Sequence, residues 1–499
     1  MENQEVKLVK TLGTWDVFVA GVALVVAAST LVTDFQGFFS LGWGFVIALA
    51  LAGVVNLVLG MSVADLAVSH PRAGALYDYA KTVFNGAPGI VFGTILGITF
   101  ICIFAFGYAG ELTAGAYGAQ ALLEIDMPIE YYVIMLAVIA MIPNLFGIKE
   151  AAWFSAILLC FMLGIRVFFG LSGYFGWGNV GEWDAVNMVP PEGMPSLFGS
   201  TGILVAGLAY AFWSFVGVEY ACALAEEVKD PKRSIPFGLM AGIIAIFIVA
   251  VIMGGGLLPT SPLADWRLLA ETELACGGDC PQLAIGMQVY GDFGYQLMAL
   301  SSAAATLGTI TVALAAVPRL IFAISRDGMF FGNHTSKFFA KLHPKSHTPI
   351  NATVFATILL IVPGIIDADV IPLVFAAAYV WILIYVAYHC MCIANRKLHP
   401  ETNHAFGAWF TWVPYFGLVT TVITLYYAFL GTHSDYGVKA IMMIGFATVV
   451  AVVGISFSGR KALQEAERKE LETEALEAVV KAKAEISKRA NSPTETAIQ

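Results

Sequence analysis

The sequence predicts an all-α membrane protein with twelve transmembrane helices. Its 499 residues have a mean hydropathy of +0.78, and only 12% of them are charged. A soluble chain could not bury that much apolar surface. The Lys and Arg residues also gather in alternate connections between apolar segments. This alternation is typical of a chain that crosses a membrane many times.

Twelve apolar segments are each long enough to cross a bilayer as a helix, which takes about 20 residues. The third and the eighth are longer than a bilayer requires, which predicts that they are tilted. The segments, numbered 1 to 12 below, are predicted at 15–34, 43–67, 89–121, 131–148, 151–174, 199–225, 237–258, 284–317, 350–366, 370–394, 412–431 and 437–457.

The basic residues predict how these segments are oriented. All but three of the 26 Lys and Arg residues lie at segment ends on one side, the exceptions being Arg166, Arg267 and Lys439. The opposite connections are acidic, as at Asp367 and Asp369. Because positive charge marks the cytoplasmic side, both termini are predicted to be cytoplasmic. The net charge of −10 therefore indicates no nucleic-acid partner, and the lipid bilayer is the expected surrounding.

The two ends of the chain lie outside the apolar part at 15–457. Residues 1–14 form a short cytoplasmic N-terminus, and residues 458–499 form a charged cytoplasmic tail. Within the tail, 461–489 is predicted to be an amphipathic helix and 491–499 to be disordered. A solvated charged surface is favoured over a regulatory role for this tail.

A pair of cysteines lies in one of the outer connections, at Cys276 and Cys280. In an oxidising compartment a disulfide between them is expected. Two free thiols in a flexible loop are the alternative, and the sequence leaves both open.

The stretch 207–236 is the most informative part of the chain. It begins as an apolar helix that Gly217 interrupts, and Glu219 follows two residues later. A glutamate in an apolar run of membrane length is costly, which makes it a functional candidate. An interrupted helix is tolerated at membrane depth only where its freed backbone faces protein or a cavity. The stretch therefore predicts a solute pathway.

The first and sixth segments share a Gly-Val step, at Gly21 and at Gly217. Transporters are often built from two inverted repeats in which the first helix of each repeat is broken near the middle of the membrane. The two Gly-Val steps lie where two repeats of five segments would place such breaks.

Three motifs along the chain carry a family resemblance. The first is FWSFVGVE at 212–219, followed by AEEVKDPKRSIP at 225–236. The second is PRLIFAISRDGM at 318–329, with HPK at 343–345. The third is DLA–HPRAG–YDY between 65 and 79. Together they resemble the amino acid–polyamine–organocation transporter superfamily, and the first is especially similar to bacterial arginine/agmatine-type antiporters.

The resemblance implies a leucine-transporter-like fold with broken helices 1 and 6. Repeat one would span about 15–174 and repeat two about 199–394, with two extra helices at 412–457. It implies a permease or antiporter, not an enzyme, that moves amino acids, amines or polyamines across a bacterial inner membrane by alternating access. Proton coupling and exchange are preferred, although the choice between a proton and sodium is left open. No cofactor is implied, and the chain acts alone or as a homodimer.

The same resemblance implies a substrate site between the two breaks. Freed N–H groups in segment 1 suit a carboxylate, whereas free carbonyls around Gly217 suit an ammonium group. Trp213 would stack on a cation or act as a gate. Glu219 would take up a proton or link segments 6 and 1, and Glu111 would favour a cationic substrate. The expected substrate-binding residues are Ala27, Ala28, Ser29, Glu111, Trp213, Val216 and Gly217, and the expected coupling or gating residues are Trp213 and Glu219.

The chain departs from the family pattern at the break of segment 1. Residues 26–30 read VAAST, without the glycines that the resemblance implies there. Alanine resists unwinding more than glycine does, and its methyl group keeps a ligand away from the backbone. The stretch 207–236 therefore supports amine binding better than the whole chain supports amino-acid binding.

Other polar residues in the apolar segments are assigned structural positions. Arg166 is expected to extend to a membrane interface, in preference to replacing a bound ion, and Asp34 to lie at the outer interface. Small polar residues of segment 8 are expected to serve helix packing; they are Ser301, Ser302, Thr306 and Thr309. Tyr385 and His389 are expected to bond to each other, and Glu226 and Glu227 to pair with the adjacent basic turn.

Two alternatives differ from a transporter in class. A membrane sensor that kept the fold would signal through the tail, which is short and has no output domain. A membrane enzyme would need a metal cluster or a nucleophile and base, and none can be identified from isolated residues. A fold of two six-helix bundles would place the long cytoplasmic loop after segment 6, but here it follows segment 8.

Overall fold

The computed structural model describes residues 8–199, 201–366, 370–431 and 434–490. The predicted outer acids Asp367 and Asp369, and the predicted disordered end at 491–499, lie outside these ranges. In the described residues the α-helices are α1 (Thr14–Val25), α2 (Ala28–Leu41), α3 (Trp43–Ser69), α4 (Leu76–Phe84), α5 (Gly86–Leu123), α6 (Ile129–Phe146), α7 (Ile148–Phe175), α8 (Ile203–Ala206), α9 (Leu208–Trp213), α10 (Pro231–Leu257), α11 (Leu263–Ala270), α12 (Pro281–Arg326), α13 (Asn333–Phe339), α14 (Ile350–Ile366), α15 (Val370–Leu398), α16 (Val413–Gly431) and α17 (Ser434–Ala490). Short 3-10 helices span Ala185–Met188, Val218–Glu227, Leu258–Thr260, Glu273–Gly278 and Ala408–Trp412.

The described chain is an all-helical, multi-pass membrane protein. Ten of its helical stretches are long and apolar enough to cross a membrane, and α1 with α2 forms one further pair that is bent by 56°. Helix α14 is equally apolar in character but has 17 residues, short of the length of a full span. The prediction of a helical membrane protein is confirmed, whereas the count of twelve and the inverted repeat stay predictions.

The centre of the bundle is formed by the interrupted stretch Leu208–Glu227 and by the long helix α12. The most apolar windows of Leu208–Glu227 and of α12 are each 94% buried, against 28% for the last span. A helix that is apolar all round belongs in an interior. Helix α12 has 46 residues, and its backbone is interrupted at Gly291, which has φ +60°. The break explains how a segment longer than a bilayer is accommodated, because glycine adopts this conformation without a steric penalty.

Helices α5 and α12 approach each other through glycines. A Cβ built on Gly118 would lie 2.6 Å from Cβ of Ser302, and one built on Gly115 would overlap Thr306. Small residues let two helix backbones come close in a membrane. The predicted packing role is therefore confirmed for Ser302 and Thr306.

Ion pairs join the sequence motifs at one end of the bundle. Arg319 on α12 donates to both carboxylate oxygens of Glu227, at 2.5 and 3.1 Å, and both side chains are 2% exposed. Glu226 accepts from the backbone N–H of Ala73 at 3.0 Å and lies 3.9 Å from Arg326. The predicted pairing of the two glutamates with the adjacent basic turn is wrong, because helix packing brings closer partners from distant parts of the chain.

A second set of charges at this end surrounds α4, a short helix outside the membrane-spanning set. Lys81 donates to Asp327 at 2.6 Å and lies 3.7 Å from Asp78. Burial raises the pKa of Asp78, but the positive charges of Lys81, Arg326 and Arg72 outweigh that effect, so the pKa of Asp78 lies below its ordinary value. These contacts tie the motif at 65–79 to the motif at 318–329.

The two ends of the membrane part lie at this same end of the bundle. The N–H of Leu12 donates to the Glu227 carbonyl at 3.0 Å, and the N–H of Lys229 donates back to the Leu12 carbonyl at 3.0 Å. The N–H of Gly332 donates to Ser458 at 3.2 Å. Residues 12 and 458 therefore share the end that carries the Lys- and Arg-rich connections.

The cysteine pair and the tail are both described by the structure. Cys276 and Cys280 form a disulfide with a Cα–Cα distance of 5.4 Å. Gly459, at φ +72°, interrupts α17, and the chain then continues as a helix to Ala490. Ala466 is fully buried in this helix. The tail is helical as far as Ala490 and its first turns pack against the protein, whereas its amphipathic character and cytoplasmic place stay predictions.

Candidate functional site

Segment 1 is broken between α1 and α2. Val26 is the last residue held by a helical bond, from its N–H to the Val22 carbonyl at 2.9 Å, and Ala27 is extended at φ −78°, ψ 165°. This conformation is open to every L-residue. The break expected at residues 26–30 is therefore present without the family's glycines, because it needs no positive φ.

The N–H groups freed by this break are occupied by Glu111 of α5. One carboxylate oxygen of Glu111 accepts from the Ala28 N–H at 2.9 Å, and the other accepts from the Ser29 N–H at 2.8 Å. Thr306 donates a third hydrogen bond to the carboxylate at 2.6 Å. Glu111 is fully buried. The N-terminal N–H groups of a helix attract a negative charge, and here the chain itself supplies that charge.

The carbonyl side of the same break is covered by Arg166 of α7. Its guanidinium donates to the Ala27 carbonyl at 2.5 Å and lies 3.5 Å from the Val26 carbonyl. Arg166 is 3% exposed, so the prediction that it extends to an interface is wrong. The guanidinium is also close enough to Asp34 and Glu111 to interact electrostatically with both.

Two further buried side chains join segment 1 to neighbouring segments. Thr309 of α12 donates to the Ala23 carbonyl at 2.9 Å, a contact that the packing interpretation did not predict. Asp34 is 7% exposed and accepts from Ser214 of segment 6 at 2.5 Å. The predicted place of Asp34 at the outer interface is wrong. It links the two broken segments inside the protein.

Segment 6 is broken at residues 214–217, between α9 and the 3-10 helix Val218–Glu227. Gly217 has φ +115°, a conformation that residues with a side chain rarely adopt. A Cβ at this position would overlap Leu24 Cδ2 and lie 3.1 Å from the Tyr108 hydroxyl. The interruption expected at Gly217 is therefore present, and both the backbone and the packing require glycine.

Glu219 follows this break in the sequence, and its two carboxylate oxygens have different surroundings. Its Oε2 accepts from the Gly217 N–H at 3.1 Å and from the Tyr385 hydroxyl at 2.9 Å. Its Oε1 is buried and accepts no hydrogen bond of good geometry in the described part of the chain, although the side chain of Trp381 lies against the carboxylate. The predicted bond between Tyr385 and His389 is wrong, because His389 lies 3.0 Å from Ser62 instead.

Trp213 of segment 6 bonds to segment 1 and also packs against a cluster of aromatic rings. Its indole N–H donates to the Ser29 hydroxyl at 3.1 Å. The ring of Trp381 lies 6.0 Å from that of Trp213 and 5.7 Å from that of Tyr108, and Tyr220 lies 5.7 Å from Tyr108. These four side chains, which are all buried, are called the aromatic cluster below. An aromatic face attracts a cation.

The structure sorts the predicted site residues into two contacting groups. Ala28 and Ser29 bond to Glu111, and Ser29 also bonds to Trp213. Gly217 bonds to Glu219. Val216 and Ala27 are buried, and their apolar side chains contribute packing only.

Several residues of the site were missed by sequence reasoning. Trp381, Tyr108 and Tyr220 of the aromatic cluster carry no signal in the sequence, since an aromatic residue in an apolar helix is usually ordinary core. Thr306 was noticed only as a packing residue. A search for polar residues on the buried face of segment 8 would have identified it.

Replacing Gly217 with alanine should lower the free energy of unfolding by at least about 2 kcal/mol, because strain at positive φ and the overlap with Leu24 act together. The measurement is the thermal unfolding midpoint in detergent. Gly164→Ala is the matched control, since a Cβ there meets nothing within 4 Å, and it should leave the midpoint unchanged or raise it. Equal midpoints for the two variants would contradict the expectation.

Comparison with known proteins gives a match over nearly the whole chain. Residues 12–458 match the sequence family described as amino acid permease. The chain is 24% identical over 478 residues to a methylthioribose transporter of Bacillus subtilis, covering 90% of this chain and 93% of that protein. It is 22% identical over 426 residues to a branched-chain amino acid permease of the same organism, covering 81% and 84%. It is 24% identical over 371 residues to a vacuolar cationic amino acid transporter of Arabidopsis thaliana, covering 71% and 58%.

Proposed function

Because the chain belongs to the amino acid permease family, we propose that it is a secondary active transporter that moves amino acids or amines across a bacterial inner membrane by alternating access. The family and the relatives are transporters and permeases, which sets enzymes aside. The relatives' names cover a thio-sugar, branched-chain amino acids and cationic amino acids. These solutes differ in charge. The charges of the site residues are therefore used to choose the substrate class.

The observation that carries the proposal is the buried carboxylate of Glu219, which lies against the aromatic cluster without a basic partner in the described residues. No basic side chain pairs with Glu219 in the described residues, and Glu219 is 2% exposed. A buried carboxylate without a positively charged partner is costly unless it holds a proton or a cation. The ammonium group of a substrate supplies such a cation, and the aromatic rings beside it stabilise the same charge.

The same property suggests how transport is coupled. When the substrate leaves, Glu219 needs a replacement for the lost positive charge, and a proton or a second substrate molecule provides it. This favours proton coupling or exchange. At the break in segment 1 the Ala27 carbonyl already accepts a hydrogen bond from the guanidinium of Arg166. A sodium ion is therefore not needed to bind this carbonyl.

Alternating access is suggested by the burial of the site. Ser29 and Glu111 are fully buried, and Trp213 is 5% exposed. A substrate reaches such a site only if the protein opens, and the two broken segments are natural places for bending.

Uptake by purified protein in liposomes tests the proposal. Labelled amino acids and amines are supplied outside, with a pH gradient or with unlabelled solute inside. We expect at least one of them to accumulate, and to do so under a proton or solute gradient without sodium. If none of them crosses under any gradient, the proposed function is wrong.

A further inference from the structure

We propose that the substrate is an amine that lacks the α-carboxylate of an amino acid, because the chain fills the carboxylate position of the site with its own Glu111. This inference rests on the proposed transport function and narrows its substrate class. The occupied position is the start of α2, and the remaining position is the side of the Glu219 carboxylate that faces the aromatic cluster.

Glu111 binds the start of α2 as the carboxylate of a free amino acid would. Its two oxygens take one backbone N–H each, from Ala28 and Ser29, at 2.9 and 2.8 Å. The Thr306 hydroxyl adds a bond at 2.6 Å to the first of these oxygens. The N-terminal N–H groups of a helix are the usual place for an anion. Here a carboxylate built into the chain already meets them.

A second carboxylate has no such place in the described site. The carbonyl side of the break holds Arg166, which shares its single positive charge between Asp34 and Glu111. A substrate carboxylate at the start of α2 would have to displace Glu111 or lie beside it. Like charges at close range repel strongly in a buried site. An amino acid is therefore disfavoured relative to the amine that carries the same side chain.

The other half of the site suits a positive charge. Glu219 is buried, has no basic partner in the described residues, and one of its oxygens accepts no hydrogen bond of good geometry. The aromatic cluster approaches from the side of Trp213 and Trp381, whose rings lie 6.0 Å apart. Among the described residues around the two breaks, Arg166 interacts with Asp34 and Glu111 but not with Glu219, so an added cation at Glu219 would meet a carboxylate that has no basic partner. The geometry thus assigns the ammonium end of the ligand to Glu219 and leaves no end for a carboxylate.

Matched pairs of ligands test the inference on the full-length protein. Each pair differs by one carboxylate: leucine and isoamylamine, lysine and cadaverine, phenylalanine and phenethylamine. Thermal stabilisation in detergent and competition for uptake into liposomes are measured for each compound. In at least one pair the amine should act at a concentration at least about tenfold below that of its amino acid, which corresponds to one decade in the binding constant.

The outcomes separate this inference from the proposed function. If the amino acids act as well as their amines or better, the inference is overturned while the transport function stands. If methylthioribose binds and no amine does, the assignment of a cation to Glu219 is overturned. If no amine and no amino acid binds or moves, the proposed function fails as well.

A substitution of Glu111 then tests the residue itself. Glu111→Ala frees the two N–H groups and should shift the preference toward the amino acid of each pair by at least about tenfold. Glu130→Gln removes a carboxylate from the start of α6, outside the site, and should leave the preference unchanged. An unchanged preference in Glu111→Ala would overturn the role of Glu111. If Glu111→Ala does not fold, the ligand preference of Glu111→Gln is compared with that of the wild-type protein, and an unchanged preference would overturn the role of Glu111.

Discussion

Replacing Glu219 with glutamine should reduce uptake by about tenfold to a hundredfold. A hydrogen bond to a charged group contributes about 1.5–3 kcal/mol, and each 1.4 kcal/mol is about a factor of ten in binding. The glutamine keeps an oxygen that accepts from the Gly217 N–H and the Tyr385 hydroxyl, which hold the carboxylate at 3.1 and 2.9 Å. The break in segment 6 should therefore remain intact while the negative charge is lost.

The comparison with Tyr385→Phe gives this expectation its control. The phenylalanine removes one hydrogen-bond donor from Glu219 but leaves the carboxylate in place, so uptake should fall less than in Glu219→Gln. Initial rates in liposomes measure both variants, and thermal unfolding verifies that they are folded. The pH dependence of uptake should be weaker in Glu219→Gln if the carboxylate carries the coupling proton. Uptake at the wild-type rate in Glu219→Gln would show that this carboxylate takes no part in transport.

The two breaks in the fold were predictable because each has a local cause. Gly217 in an apolar run indicates a position that needs positive φ, and Glu219 next to it indicates a costly charge with a purpose. The first break was located at residues 26–30, although its alanines seemed unsuitable. They fit because the chain there is extended, which the composition of the stretch alone does not reveal.

The partners of the buried charges were not predictable in the same way. Position along an apolar segment indicates depth in the membrane, but it does not indicate which neighbouring helix a side chain faces. Arg166 bonds to Ala27 across 139 positions, and Asp34 accepts from Ser214 across 180. The sequence-based choice between an interface and the interior was therefore wrong for both residues.

The same limit explains the main difference at the substrate site. Glu111 was expected to attract a cation because it is acidic and lies within segment 3. Its direct contacts are the N–H groups of Ala28 and Ser29, which were expected to hold the substrate. The expectation for Glu111 and the expectation for these N–H groups were both based on charge alone. Only the packing of α5 against α2 decides that the two groups meet each other.

Replacing Arg319 with alanine should lower the free energy of unfolding by about 3–5 kcal/mol, the usual loss when one partner of a buried ion pair is removed. Arg319 and Glu227 are both 2% exposed, so the remaining carboxylate would be buried without its cation. The loss should appear as a lower thermal midpoint in detergent. Because Glu227 also holds Leu12 through its backbone carbonyl, the N-terminus should become more accessible to protease.

A double-mutant cycle separates the ion pair from simple loss of packing. If the penalty comes from the unpaired carboxylate, Arg319→Met with Glu227→Leu should be more stable than Arg319→Met alone, since both charges are then absent. The pair Arg468–Glu472 is the control, because its side chains are 69% and 68% exposed, and Arg468→Met should cost no more than about 1 kcal/mol. A double variant that is less stable than Arg319→Met would mean that the shape of these two side chains, and not their charge, holds the end of the bundle together.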